Sequence, residues 1–247
     1  MFIFIITNFI TMKTLLKIIN KNSFFYSSCL ALTIACMFFL IFYSKADTFI
    51  IMNGFHTSLL TIIFQIITFC GDGLFIIIVF TIIMISFKKH RDLGIILLIS
   101  YLSSGLLSQV IKQFVTSPRP SVYFESLHYA YYLDTFSNCR IGFRSFPSGH
   151  TASAFAMVTV LTSYFKKRHV WALCLLFAVA IGYSRIYLAH HFLIDVLAGA
   201  LIGVLSGTLS VLWFKKKRFK IKKIVKQFQL AIHNSKTQNK PNVNGSY

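Results

Sequence analysis

The chain has 247 residues, 56% of them hydrophobic types and only 13% charged, and its 25 Lys and Arg against 6 Asp and Glu give a formal charge of +19. A soluble domain averages about 25% charged residues and cannot hide this much apolar surface at this size, while a mean hydropathy of +0.70 excludes intrinsic disorder. The class that remains is a polytopic membrane protein.

Residues 1–11 are apolar, too short to span, and have no basic flank before them, so they do not read as a signal peptide. They are either an extended start ahead of Met12-Lys13 or a frayed helix. Six apolar segments follow, at about 24–44, 73–87, 93–115, 149–165, 170–188 and 192–214. Most approach the ~20 residues needed to cross ~30 Å of hydrocarbon, which predicts an all-α, six-span transmembrane bundle. The second is short. Residues 57–69 are also apolar, but Gly71-Asp72-Gly73 interrupts the run. This stretch reads as an interfacial or half-buried helix, the alternative being one long helix broken at the Gly-Asp-Gly. The organisation expected is an N-terminal cytoplasmic segment 1–23, a six-span domain 24–214 and a basic cytoplasmic tail 215–247, disordered over 234–247.

Orientation follows from the basic residues. Those ahead of span one, between spans two and three, between four and five, and after span six number 19 of the 25 and fall on one side of a six-span layout. Lys45, Lys112, Arg119, Arg140, Arg144 and Arg185 fall on the other. Both termini are therefore predicted cytoplasmic. The charge excess becomes a topology signal, and the nucleic-acid partner that it invites is set aside. From Lys215 to Lys226 basic residues alternate with Phe219, Ile221, Ile224 and Val225, which suits an anchor on anionic lipid head groups or a regulatory tail. The five cysteines have no metal-ligand spacing and read as small hydrophobes rather than a disulfide framework.

The ionisable residues at the outer ends of spans three to six form an ordered set. Such residues are costly near a membrane and are usually functional. Lys112 and Arg119 are seven apart, two helical turns, before Pro120. Pro147-Ser148-Gly149-His150 opens span four, and a helix start of this kind offers free amides and a positive dipole end to an anion. Ser184-Arg185 closes span five. His191 opens span six, and Asp195 at i+4 would share its face on a helix. Between spans three and four, residues 117–147 form a long outer connection, of a length that is usually functional. The cations and amides suit a tetrahedral oxyanion such as phosphate. A His fixed by Asp suits a nucleophile or base, and a second His can protonate a leaving alkoxide. No Cys/His or carboxylate cluster offers a metal cage.

These eleven positions, Lys112-xxxxxx-Arg119-Pro120, Pro147-Ser148-Gly149-His150 and Ser184-Arg185-xxxxx-His191-xxx-Asp195, resemble the three-part signature of the type 2 phosphatidic acid phosphatases. The resemblance implies that His191 attacks phosphorus to form a phosphohistidine and that Asp195 orients it. It implies that His150 protonates the leaving oxygen and later activates water. Lys112, Arg119, Arg185, Ser148 and Gly149 would hold the phosphoryl oxygens, with no metal and no cofactor. His190 lies outside the pattern.

The expected setting is a bacterial inner membrane with a periplasmic site and a membrane lipid phosphate as substrate. Arg140 and Arg144, with His128 and the aromatic Tyr123, Phe124, Tyr129, Tyr131 and Tyr132, enrich the outer loop, and the extra cations suit either ordinary lipid head groups or a substrate with a second anionic group. Lipid A 1-phosphate is favoured. Undecaprenyl diphosphate, phosphatidylglycerol phosphate and a lipid phosphotransferase are the alternatives. A non-catalytic transporter would place its polar residues at mid-membrane depth, whereas here they cluster at one face.

Overall fold

The structure is a computed structural model that describes residues 2–127 and 140–238, with side chains for 12–127 and 140–217. His128, Tyr129, Tyr131, Tyr132 and Cys139 lie outside the described residues. In chain order the helices are α1 (Phe2–Lys21), α2 (Ser23–Phe42), α3 (Lys45–Asn53), α4 (Ser58–Phe69), α5 (Gly73–Ser86), α6 (Arg91–Phe114), α7 (Pro120–Ser126), α8 (Gly149–Tyr164), α9 (Arg168–Tyr187) and α10 (Leu193–Gln238). Among the described residues there is one isolated bridge, Ser117 with Arg144, and no named strand.

Helix α8 is the centre of the bundle. Residues 151–160 are all buried, enclosed by α6, α9 and α10. Its closest partner is α10, because Gly199, Gly203 and Gly207 put one bare stripe of that helix against α8. A Cβ on Gly199 would lie 2.5 Å from the Ser148 carbonyl oxygen, one on Gly203 would collide with the Ala152 carbonyl, and one on Gly207 would meet the Ala156 carbonyl at 2.8 Å. Small residues at four-residue spacing are how helices approach closely where no hydrophobic force separates core from lipid. Elsewhere the outer faces are apolar and exposed, as with Leu30, Ile34, Phe38 and Ile41 along α2.

Six helices cover the six apolar segments, but length and composition qualify four of them as spans: Ser23–Phe42, Lys88–Phe114, Arg168–Tyr187 and Leu193–Lys217. α5 has 14 residues and α8 has 16, about 21 and 24 Å of rise. α8 is also rich in Ser, Thr and Ala, which a helix shielded from lipid on all sides tolerates. α3 and α4 together make a fifth candidate, a pair bent by 113°, and both touch the same end of α9. The buried Asn53 amide donates to the Ile186 and Tyr187 carbonyls at 2.6 and 2.9 Å, closing the C-terminus of α9. The Thr57 amide donates to the Tyr187 hydroxyl at 3.1 Å, and Thr68 meets Arg185. The stretch 57–69 is thus a helix of its own laid across one end of α9. The turn at Cys70–Asp72, not a continuing helix, leads into α5.

Two further boundaries differ from the sequence reading. α10 passes Phe214 without a break and runs to Gln238, so 215–238 continues the helix of span six, and residues 234–238, expected to be disordered, belong to it. The outer connection 117–147 contains α7, with Pro120 at its first position, where a missing amide costs nothing.

Candidate active site

The seven-residue spacing of Lys112 and Arg119 matches two helical turns, with the prolines beside Arg119 marking the end of the helix. The helix ends at Phe114, ahead of Pro118 and Pro120, and the two side chains converge by another route. Ser117 and Arg119 pair in parallel with residues 142–145: the Ser117 amide donates to the Phe143 carbonyl at 2.9 Å, the Arg119 amide to Gly142 at 2.9 Å, and the Ser145 amide to Ser117 at 3.0 Å. This short ladder brings both cations to the Arg144 carbonyl, which accepts from Lys112 Nζ at 2.8 Å and from Arg119 Nη2 at 3.4 Å. Arg119 Nη1 donates to the His190 carbonyl at 2.9 Å, so the histidine outside the signature contributes its backbone.

Ser148 caps α8, its Oγ accepting from the Thr151 amide at 3.5 Å and from the Thr151 hydroxyl at 2.8 Å. Gly149 and His150 then occupy the first two helical positions, whose amides have no intrahelical acceptor. The Phe146–Pro147 peptide before them is cis. The Ser148 amide donates to the Asp195 carbonyl at 2.9 Å, which fastens this helix start to the first turn of α10.

Arg185 is 2% exposed. Its Nη1 donates to Thr68 Oγ1 at 2.6 Å, while Nε and Nη2 are buried without a partner. Buried polar groups are nearly always hydrogen-bonded, and charged ones pay most when they are not. A guanidinium with two N–H groups held open in this way fits an oxyanion.

His191 was expected on the last helix beside Asp195. It lies instead in the turn ahead of α10, and the turn explains the contact. α9 ends in a Schellman arrangement, with the His190 amide bonded to Arg185 O at 2.9 Å, the Ala189 amide to Ile186 O at 2.9 Å, and Ala189 left-handed at φ 52°. Asp195 sits in the first turn of α10 and accepts from the Phe192 amide at 3.0 Å. His191 Nδ1 therefore lies 3.6 Å from Asp195 Oδ2, in ion-pair range but longer than a hydrogen bond. Burial holds the His191 imidazole down to about 4, against the opposing pull of Asp195 and together with the nearby Arg185 charge. His191 is neutral at neutral pH, as a nitrogen nucleophile must be.

Three residues join this constellation that the sequence did not single out. Ser145, fully buried, donates to Asp195 Oδ2 at 2.5 Å and lies 3.4 Å from His191 Nδ1. Thr68 holds Arg185. Asp72 Oδ2 lies 3.5 Å from His150 Nε2. Ser145 and Thr68 are ordinary residue types in unmarked positions. Asp72 carried a signal, as one of six acidic residues in the chain and set between two apolar runs. Two of the aromatic residues expected in the outer loop have a different place: Phe124 is buried against Phe49 and Phe192, and Tyr123 packs on the same cluster, so they hold α3 and α7 over the site. The Arg140 and Arg144 side chains are exposed, and the charge of Arg140 bears on Arg185 and Lys112.

Among known proteins, the chain is 34% identical over 133 residues to an undecaprenyl-diphosphatase of Sulfolobus acidocaldarius, covering 53% of this chain and 60% of that one. It is 27% identical over 168 residues to a lipid A 4'-phosphatase of Porphyromonas gingivalis, covering 66% and 70%. The chain thus spans less than two thirds of the first of these relatives. The crystal structure of Aquifex aeolicus LpxE superposes with a TM-score of 0.56 at 32% identity, over 67% of this chain and 93% of that one. The family model of the PAP2 superfamily matches residues 93–219, a little over half of the chain and the stretch that holds all eleven signature positions. The chain belongs to the PAP2 superfamily.

Proposed function

We propose that the protein is an integral-membrane lipid phosphatase that hydrolyses a phosphomonoester or diphosphate of a membrane lipid through a phosphohistidine. The observation that carries this reading is Arg185: a buried guanidinium with Nε and Nη2 unpaired, beside the open start of α8 and a neutral His191. Lys112, Arg119, Arg185 and the Ser148–Gly149 backbone hold the phosphoryl oxygens. His191 attacks through Nε2, since Nδ1 faces Asp195, and Asp195 orients the ring. His150 protonates the leaving oxygen and then takes a proton from the water that cleaves the phosphohistidine. Cations and amides carry the charge stabilisation, so the reaction needs no metal and no cofactor.

In this reading α2, α5, α6, α8, α9 and α10 are six spans within 24–214. The site faces the periplasm of a bacterial inner membrane, 1–23 and the segment from 215 are cytoplasmic, and the basic segment rests on anionic head groups. Lys17, Lys21, Lys166 and Lys215 line one cleft at the end opposite the site, which supports a positive-inside orientation. The preferred substrate is lipid A 1-phosphate, its second phosphate meeting Arg140. Undecaprenyl diphosphate is the second reading, favoured by what the Sulfolobus relative is named for.

The test is phosphate release by the purified protein from a panel of lipid A, undecaprenyl diphosphate, phosphatidylglycerol phosphate and phosphatidic acid. Release is expected in EDTA, blocked by vanadate, and absent in His191→Ala. Activity that chelator abolishes and a divalent ion restores would overturn the metal-independent mechanism, and turnover by His191→Ala would overturn the nucleophile.

A further inference from the structure

The chemistry above leaves Asp72 unused. It sits in the turn between α4 and α5, where Oδ1 caps α5 by accepting from the Leu74 amide at 2.9 Å. Oδ2 is the oxygen 3.5 Å from His150 Nε2. The turn is pressed against α8 by backbone packing: a Cβ on Gly71 would meet the His150 carbonyl oxygen at 3.0 Å, the His150 Cβ at 3.2 Å and an Ile181 methyl at 2.8 Å. The capping bond fixes one carboxylate oxygen and the glycine contact fixes the distance to the imidazole. The pairing is thus built into the fold rather than reached by a flexible side chain. A cavity of about 390 Å³ adjoins the pair, with Tyr101, Ser108, Gln109 and Ser153 on its walls. Ser108 Oγ is buried there without a partner, so the space beside His150 has room for water and offers it that hydroxyl.

We propose that Asp72 is the positioning residue of His150, a second carboxylate–imidazole pair facing the one formed by Asp195 and His191. This rests on the reading of His150 as the general acid and base. When the 3.5 Å contact closes on substrate binding, Asp72 accepts from Nε2–H and so selects the tautomer that exchanges protons through Nδ1. In the first step His191 Nε2 bonds to phosphorus, the phosphorus–oxygen bond to the leaving group breaks, and that oxygen takes the proton from His150 Nδ1. In the second, a water oxygen bonds to phosphorus and its proton returns to His150 Nδ1. The phosphorus–nitrogen bond breaks, and its electron pair goes back to His191. Through both steps the Nε2 proton stays on the ring, facing Asp72, whose charge balances the imidazolium.

The pairing predicts a dependence on the leaving group that a structural role lacks. An alkyl phosphate lipid needs its leaving oxygen protonated, whereas p-nitrophenolate leaves without help. In Asp72→Asn, formation of the phosphoenzyme from the lipid should slow at least about tenfold, while the initial burst of p-nitrophenolate from p-nitrophenyl phosphate keeps its wild-type rate. KM for the lipid should hold, and Asp72→Glu should recover part of the rate. Equal losses on both esters, in Asn and Ala variants alike, would reduce Asp72 to a helix cap and overturn the proposal, as would unchanged rates on both. Wild-type protein inactive on every phosphate ester would instead overturn the phosphatase reading, and this proposal with it.

Discussion

The amide of Ser148 donates to the carbonyl of Asp195 at 2.9 Å, so the start of one helix and the first turn of another are a single backbone unit. That bond exists because α8 and α10 touch along Gly199, Gly203 and Gly207. The same stripe that packs the bundle therefore sets the distance from the amides of α8 to the carboxylate facing His191.

Gly203→Ala places a methyl against the Ala152 carbonyl, a backbone atom that cannot turn aside. The helices must separate, at a cost of about 1–3 kcal/mol, and the Ser148–Asp195 bond must lengthen with them. A lower midpoint of thermal unfolding in detergent and a fall in phosphate release are expected together. Gly105→Ala on α6, with nothing within 4 Å of the added carbon, should leave both unchanged or raise stability slightly.

Arg185→Lys keeps the charge and loses the fork. Lysine cannot satisfy Thr68 and present two further donors in one plane, as the Arg185 geometry does. kcat/KM should fall about 10²–10³-fold, the scale for losing an oriented oxyanion donor. Vanadate inhibition should weaken in parallel, and an inhibition constant equal to that of the wild type would separate Arg185 from anion binding.

Much of this was legible because it depends on residue type. The apolar runs mark the helices that cover them, and the signature names the groups that meet. What escaped depends on backbone geometry. α3 is short and mostly polar at its start, although Ser44 and Asp47 form a cap whose bond is 3.1 Å and whose spacing is a recognised helix start. Lys112 and Arg119 meet, but not through helical spacing: the helix ends at Phe114, and three backbone bonds between 117–119 and 142–145 bring the two cations together. His191 and Asp195 likewise meet across a turn, not along a helix. Ser145 could not be found, because only the ladder to Ser117 brings that hydroxyl to Asp195.

Ala189 holds the left-handed position of the turn that presents His191, at φ 52°, and is 2% exposed. An L residue there is strained by about 1 kcal/mol. Ala189→Gly should relieve the strain and leave activity intact. Ala189→Val adds a branched Cβ to a conformation such residues avoid and should destabilise by about 2 kcal/mol with a matching loss of turnover. The comparison of unfolding midpoints across Gly, Ala and Val checks the order.

With its pKa lowered to about 4 from an ordinary value near 6.5, His191 binds its proton less readily in the folded protein than in the unfolded chain. The unfolded state therefore takes up the extra proton as pH falls from about 6.5 to about 4, and stability declines through that window and not above it. In ¹⁵N-histidine spectra, the ring signals missing from His191→Asn should not titrate between about pH 5.5 and 8. A midpoint near 6.5 would place the ring in water rather than in the buried turn.

Sidedness decides which lipids can reach the site. α8 carries His150 at one end and Tyr164 at the other, 14 residues apart by number, or about 21 Å at 1.5 Å per residue. Glu125 on α7 belongs to the site end and Lys167, before α9, to the opposite end, and both are exposed. In a cysteine-free background, Glu125→Cys should react with an impermeant thiol reagent in intact spheroplasts. Lys167→Cys should react only after permeabilisation. The native cysteines must be replaced first, because Cys139 falls in the same outer connection as Glu125. Labelling of Lys167→Cys alone in intact spheroplasts would turn the site toward the cytoplasm. Lipid A and undecaprenyl diphosphate presented from the periplasmic leaflet would then be out of reach, and phosphatidic acid on the inner leaflet would become the leading substrate.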